Sequence, residues 1–166
     1  MSIIIEKAKA EDAKALLEYL KQIGSETDNL TFGKEGVPFS AEQEADFIRS
    51  IENSRDAIML IAKDSNKIVG NASLTRLSRR MKHRGDFGVS VLKDYWNKGI
   101  GSQLLNEIIN FAKENSFELI ELQVRSDNFA AIHLYEKYGF KKIGEHPSFF
   151  KINDKEISFD YMYLKL

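Results

Sequence analysis

The sequence predicts one mixed α/β domain, and three observations carry that prediction. An apolar strand, Val89-Ser-Val-Leu92, runs through a short polar turn to Gly99 and Gly101, where a helix begins. A further strand follows that helix, and strand, helix and strand in that order require a parallel pair with a right-handed crossover. Other apolar runs meet at short polar turns, Asp64-Ser-Asn66 and Asn153-Asp154, as antiparallel hairpins do. A chain of 166 residues is long enough for one such domain and too short for two comfortable ones.

Bulk properties exclude several function classes. A net charge of −1 argues against nucleic acid as the main partner. No apolar run approaches the ~18 residues that span a bilayer, so no membrane partner is expected. The start, Met1-Ser-Ile-Ile-Ile-Glu6, lacks a basic region followed by an apolar one, so no signal peptide is expected, and with no cysteine a reducing, cytoplasmic setting is the default expectation. With zero cysteines there is no disulfide, no thiolate metal site and no cysteine nucleophile. His133 and His146 lack metal-ligand spacing, so no metal is expected.

In chain order, residues 3–8 read as a short strand. A helix follows from Ala10-Glu-Asp-Ala13, with Leu16, Leu17, Leu20 and Ile23 on one face and Gly24 as its end. Residues 25–39 are polar, contain Pro38 and form a loop, acidic at Glu26, Asp28 and Glu35. Ser40 and Gln43 make a capping box for a helix presenting Ala41, Ala45, Ile48 and Ile51. Strands over 57–63 and 67–77 pair as a hairpin. The basic run Ser78-Arg-Arg-Met-Lys-His-Arg84 reads as a solvated tip before a strand over 86–92. Leu104, Leu105, Ile108, Ile109 and Ala112 give the next helix an inward stripe. Residues 117–124 read as a strand buried on both faces, and residues 129–138 as a helix ending at Gly139. Strands over 141–152 and 156–165 close the chain.

The glycines at 99 and 101 let backbone approach a ligand closely, and the helix they open offers unpaired amides and a positive dipole end to an anion. A Walker A loop needs Lys-Ser/Thr after its last glycine, where Ser102-Gln103 stand. A dinucleotide fingerprint needs Gly or Ala three residues after Gly101, where Leu104 stands. A helix start without any ligand remains equally open on the loop alone.

Downstream, Asn128-x-x-Ala131-x-x-Leu134-Tyr135-x-x-x-Gly139-Phe140 supplies a second motif. Residues 89–105 resemble the acyl-CoA-binding motif of the GNAT N-acetyltransferases, Gln/Arg-x-x-Gly-x-Gly/Ala, and residues 128–140 resemble that family's following motif. Trp96 stands at the usual Gln/Arg position, and Asn97 where a third glycine is common.

The resemblance implies a mostly antiparallel sheet with one splayed parallel pair, helices on both faces, and acetyl-CoA as cofactor. It implies that backbone groups of Val89 and Val91 pair with the pantetheine arm by strand addition. Amides of Trp96, Asn97, Lys98, Gly99, Ile100, Gly101 and Ser102 would cradle the pyrophosphate, with a charge from Lys98 unless it is a solvated turn lysine. Asn128 would cap the last helix and touch the cofactor, and Ala131 would leave room beside it. Tyr135 would donate to the departing coenzyme A sulfur, its alternative being a packed core aromatic. A base for the amine acceptor is sought first in Glu121, then in Asp86 and His83, each with an alternative as a surface charge. Acidic Glu26 and Asp28 would suit a cationic acceptor. Family habit implies a homodimer, which no residue here indicates. The implied activity is acetyl transfer from acetyl-CoA directly to a primary amine on a small molecule or protein N-terminus. The rivals are another acyl-CoA or acceptor and a non-catalytic acyl-CoA sensor.

Overall fold

The computed structural model describes residues 2–166 and has the predicted mixed α/β class. Its strands are β1 (Ile3–Lys7), β2 (Ala57–Asp64), β3 (Lys67–Arg76), β4 (Arg84–Val91), β5 (Leu119–Arg125), β6 (Lys141–Ile152) and β7 (Lys155–Lys165). Its α-helices are α1 (Ala13–Glu26), α2 (Ala41–Ile51), α3 (Ile100–Glu114) and α4 (Phe129–Lys137). The strands form one sheet in the order β1-β2-β3-β4-β5-β7-β6, with β4–β5 its parallel pair.

Helices cover both faces. Ser90 meets Tyr19 of α1 through a 2.8 Å hydrogen bond. Its neighbour Val91 pairs with Gly70, and a Cβ on Gly70 would touch Ile100 and Leu104 of α3 at 3.3 Å. Adjacent strand positions face opposite ways, so α1 and α3 lie on opposite sides. The predicted α3 stripe is buried at all five positions. Removing such side chains from water contributes roughly 1.5–3 kcal/mol each for the larger ones. The capping box is present, with Ser40 Oγ accepting from the Gln43 amide and Gln43 Oε1 accepting from the Ser40 amide.

Two expectations are corrected. Helix α1 does not stop at Gly24 but runs to Glu26. Gly24 is instead a point of close approach, where a Cβ would meet the Gly33 carbonyl oxygen at 2.0 Å. On β5 only Ile120, Leu122 and Val124 are buried, while Leu119, Glu121, Gln123 and Arg125 are half-buried. The helices on that face, α1 and α2, pack on β3 and β2 instead.

Candidate active site

The site begins where strand pairing ends. Strands β4 and β5 are in register at Arg84–Leu119, Gly85–Ile120 and Asp86–Glu121 and then diverge. A cavity of about 430 Å³ occupies the opening, within the range of small-molecule sites. Val89, Ser90 and Val91 line it from β4, and Gln123, Val124 and Arg125 from β5. The α3 junction adds Tyr95, Trp96, Asn97 and residues 99–102, and α4 adds Asn128, Ala130, Ala131, Leu134 and Tyr135.

The junction is shaped by two left-handed residues, Asn97 at φ 59° and Gly99 at φ 76°. Asparagine tolerates that conformation better than most residues, which explains it where glycine is common. Gln103 donates to the Gly99 carbonyl at 3.0 Å, the first full helical bond. The amides of Ile100, Gly101 and Ser102 precede it and have no intrahelical acceptor. Gly101 is there for clearance: a Cβ would rest 3.4 Å from Leu134 Cδ2, an ordinary contact, while filling space beside the cavity.

Trp96 departs from the expected amide cradle. Its backbone amide donates to Lys93 O at 3.1 Å, and its indole Nε1 donates to Val91 O at 2.7 Å. The indole therefore occupies a carbonyl at the splayed end of β4. Lys98 is outside the lining. Its ammonium donates to Asp94 O at 2.8 Å and lies 4.8 Å from the Tyr95 ring centre.

On α4, Asn128 Oδ1 accepts from the Ala131 amide at 3.3 Å and caps the helix. Tyr135 lies edge-on to Phe87 at 6.1 Å and near Phe140 at 5.6 Å. Its hydroxyl has no hydrogen-bond partner among the described residues, and burial pushes its pKa well above the ordinary tyrosine value. It is a neutral donor at the cavity wall. Tyr138, which falls outside the motif, donates to Ser102 O at 3.0 Å and fastens α4 to the first turn of α3.

The acidic candidates are placed differently from the sequence expectation. Glu121, sought first as the base, is held by Arg84 through bonds of 2.7 and 2.8 Å and stands outside the lining. Glu26 accepts from Gln22 Nε2 at 2.9 Å and from the Lys93 amide at 2.8 Å, tying α1 to the β4–α3 turn. Asp28 is exposed, and the cavity is lined there by Thr27, Asn29 and Leu30. His83 is also outside it and receives the Glu118 and Leu119 amides on its carbonyl. Asp86 accepts a 3.5 Å bond from Gln123, a lining residue. Partial removal from water raises the Asp86 carboxyl pKa; the Gln123 bond opposes this and the Glu121 charge adds to it.

Sequence reasoning missed Ile23, Ser90, Gln123, Arg125 and Phe159 in the lining. Strand alternation signals part of this set, since Ser90 and Gln123 share a face with Asp86 and Glu121. Phe159 gives no local signal. It reaches the cavity through its register with Arg125. Among the described residues no cluster of His, Cys, Asp and Glu is arranged to hold a metal.

A splayed parallel pair closed by a glycine-opened helix and a tyrosine-bearing helix is the frame of an acetyltransferase fold. The chain belongs to that class: residues 25–140 match the acetyltransferase (GNAT) family. It is 31% identical over 93 residues to N-alpha-acetyltransferase RimI of Mycobacterium tuberculosis, covering 55% of this chain and 57% of that protein. Identity to the L-amino acid N-acetyltransferase AaaT of Escherichia coli is 32% over 105 residues, covering 62% and 65%. The match thus spans less than two thirds of either relative's length. A GNAT-family acetyltransferase structure from Streptococcus pneumoniae aligns with TM-score 0.95 at 31% identity, covering 99% of this chain and 100% of that one. The yncA structure from Salmonella typhimurium, described with its cofactor acetyl-CoA, shares the fold at TM-score 0.85 and 18% identity, covering 99% and 94%.

Proposed function

We propose that this chain is an acetyl-CoA-dependent N-acetyltransferase that transfers the acetyl group directly to a primary amine. One observation carries the reading: both motifs, distant in sequence, line a single cavity at the splayed end of β4 and β5. The residues fit the cofactor. The unpaired strand edge at Val89 suits an amide-bearing arm, and the open amides of Ile100–Ser102 suit phosphate. Gly101 and Ala131 leave room beside them. When bound, acetyl-CoA supplies a thioester whose acetyl group passes to the amine nitrogen as the thiol leaves.

Tyr135 is assigned as the donor to the departing sulfur, since its hydroxyl stays protonated at neutral pH. The amine must lose its proton to attack. A lysine-like amine, pKa ~10.4, is neutral in only about one molecule in a few thousand at pH 7. We assign the base to Asp86 rather than Glu121, because Arg84 occupies both Glu121 oxygens. Gln123 would link Asp86 to the cavity, directly or through water.

The test is thiol release from acetyl-CoA over a panel of amines and peptides. Tyr135→Phe should lower kcat by roughly 10²–10⁴-fold, as for loss of an acid–base group, with cofactor affinity retained because the ring still packs. Tight cofactor binding with no turnover on any acceptor would favour the sensor alternative instead.

A further inference from the structure

We propose that the acceptor is a monoamine carrying an aromatic or flat apolar group, and that Phe159, Phe149 and Tyr161 form the wall that receives it. The assignment rests on the acetyltransferase reading above and names its substrate class.

The wall follows from strand register. Ser90 faces α1, and Asp86 shares its side of β4 by alternation. Gln123 reaches Asp86, so the side chains at 121, 123 and 125 on β5 share that face. Arg125 stands opposite Phe159 on β7, and Gln123 stands opposite Tyr161. Directly opposed residues of an antiparallel pair project to the same side. Phe159 thus forms part of the cavity wall, and Tyr161, opposite the lining residue Gln123, continues that face just outside the lining.

Strand β6 extends it. Its register with β7 shifts between His146 and Phe150, a bulge that includes Pro147. Such irregularities re-aim side chains. Here Phe149 stacks on Phe159 at 4.4 Å and 30° and meets Tyr161 edge-on at 6.2 Å. Phe159 is buried beneath it, whereas Phe149 and Tyr161 are half-buried. Helices α1 and α2 pack on β3 and β2, at the other half of this face. A flat ring stacks well on such a surface.

Charge narrows the class. No carboxylate lines the cavity. Glu26 and Glu121 are engaged as described above, and Asp160 is buried against Ser126 and Lys142. Asp127 is committed to Arg125, at 2.6 and 3.0 Å, which also removes the net charge beside Phe159. Asp86, assigned above as the base, serves the reacting amine, so a second ammonium on the acceptor would enter without a further counter-charge, and desolvating it there is unfavourable. Polyamines and aminoglycosides therefore fit poorly.

The experiment compares kcat/KM for 2-phenylethylamine, n-butylamine and spermidine with acetyl-CoA and the full chain, each expressed per concentration of neutral amine. We expect 2-phenylethylamine to exceed both others by at least tenfold. Phe149→Leu and Phe159→Leu should each bring the phenyl-to-butyl ratio toward one, with thermal melts checking that the variants fold. Because Phe149 is half-buried, its variant serves where Phe159→Leu does not fold. A ratio near one in the unmodified protein, or spermidine as the best acceptor, overturns this assignment and leaves the acetyltransferase reading standing. An unchanged ratio in the folded variants overturns the wall. No turnover of the three amines while a peptide from the panel above is acetylated overturns this assignment alone, and no turnover of any amine or peptide overturns both.

Discussion

Two glycines two residues apart, Gly99 and Gly101, illustrate what single residues do at this site. Gly99 sits at φ 76°, a conformation that favours glycine, whereas Gly101 has helical surroundings and an ordinary 3.4 Å neighbour for a Cβ. Gly99→Ala should lower stability by about 1–2 kcal/mol, measurable by chemical denaturation. Gly101→Val should leave the fold intact and abolish acetyl-CoA binding in calorimetry. Both glycines were legible in the sequence, but their different reasons were not, since backbone angles are not written in residue type. Trp96 was the unexplained departure from the family motif. Its role depends on where an indole points, and only the 2.7 Å bond to Val91 O shows that. A fourth residue, Glu44, is buried on α2 with no side-chain partner among the described residues. Burial raises its pKa. The native state then binds the proton more tightly than the unfolded chain, so this group lowers stability as pH rises through the window from its unfolded value to its raised native one. Glu44→Gln should raise Tm at pH 7.5, and the gain should shrink as pH falls toward 4.

Elements were read most easily where pattern and packing agree. The α3 stripe and the Ser40 capping box are local signals, and the structure contains both. The end of α1 differs from the sequence expectation because glycine has two uses, stopping a helix and admitting a close neighbour, and the second depends on Gly33, nine residues away. That contact positions the loop that lines one side of the cavity. Gly24 meets Gly33, and between them Thr27, Asn29 and Leu30 line the opening. Gly24→Ala forces the Gly33 carbonyl outward, because backbone cannot yield as a flexible side chain does. The loop should move while the α3 junction stays in place. Steady-state kinetics should show a severalfold rise in acceptor KM, with acetyl-CoA affinity unchanged. Equal weakening of both ligands would mean that the loop and the junction move together.

At the scale of the molecule, the site exists because a parallel pair begins and then fails to continue. The crossover was legible from strand, helix and strand. The point of divergence was not, since it is set by side chains meeting across the sheet. Arg84 and Glu121 are the clearest of these, tying the first paired position of β4 to the last of β5. Asp86, directly opposite Glu121 in register, is the last paired residue of β4 before the opening. The sequence offered Glu121 first and Asp86 second as the base, and in the reading proposed above Glu121 is the clasp and Asp86 the base. Glu121→Gln keeps shape but weakens the clasp. The pair is partly exposed, with side-chain accessibilities of 34% and 21%, so solvent screening limits the loss to about 0.5–1 kcal/mol. Its Tm should fall by a few degrees, while kcat/KM on the best amine stays within a few fold and keeps its pH profile. Asp86→Asn should do the reverse. Its Tm should hold, since Asp86 is exposed and accepts only the long bond from Gln123. Its kcat/KM should drop by roughly 10²–10⁴-fold, as when a general base is lost. In the unmodified protein the base works only when ionised, so activity should fall as pH drops through the raised Asp86 pKa, a limb that Asp86→Asn should lose. If Glu121→Gln instead erases that limb and Asp86→Asn preserves it, the two carboxylates exchange roles and the clasp is the base.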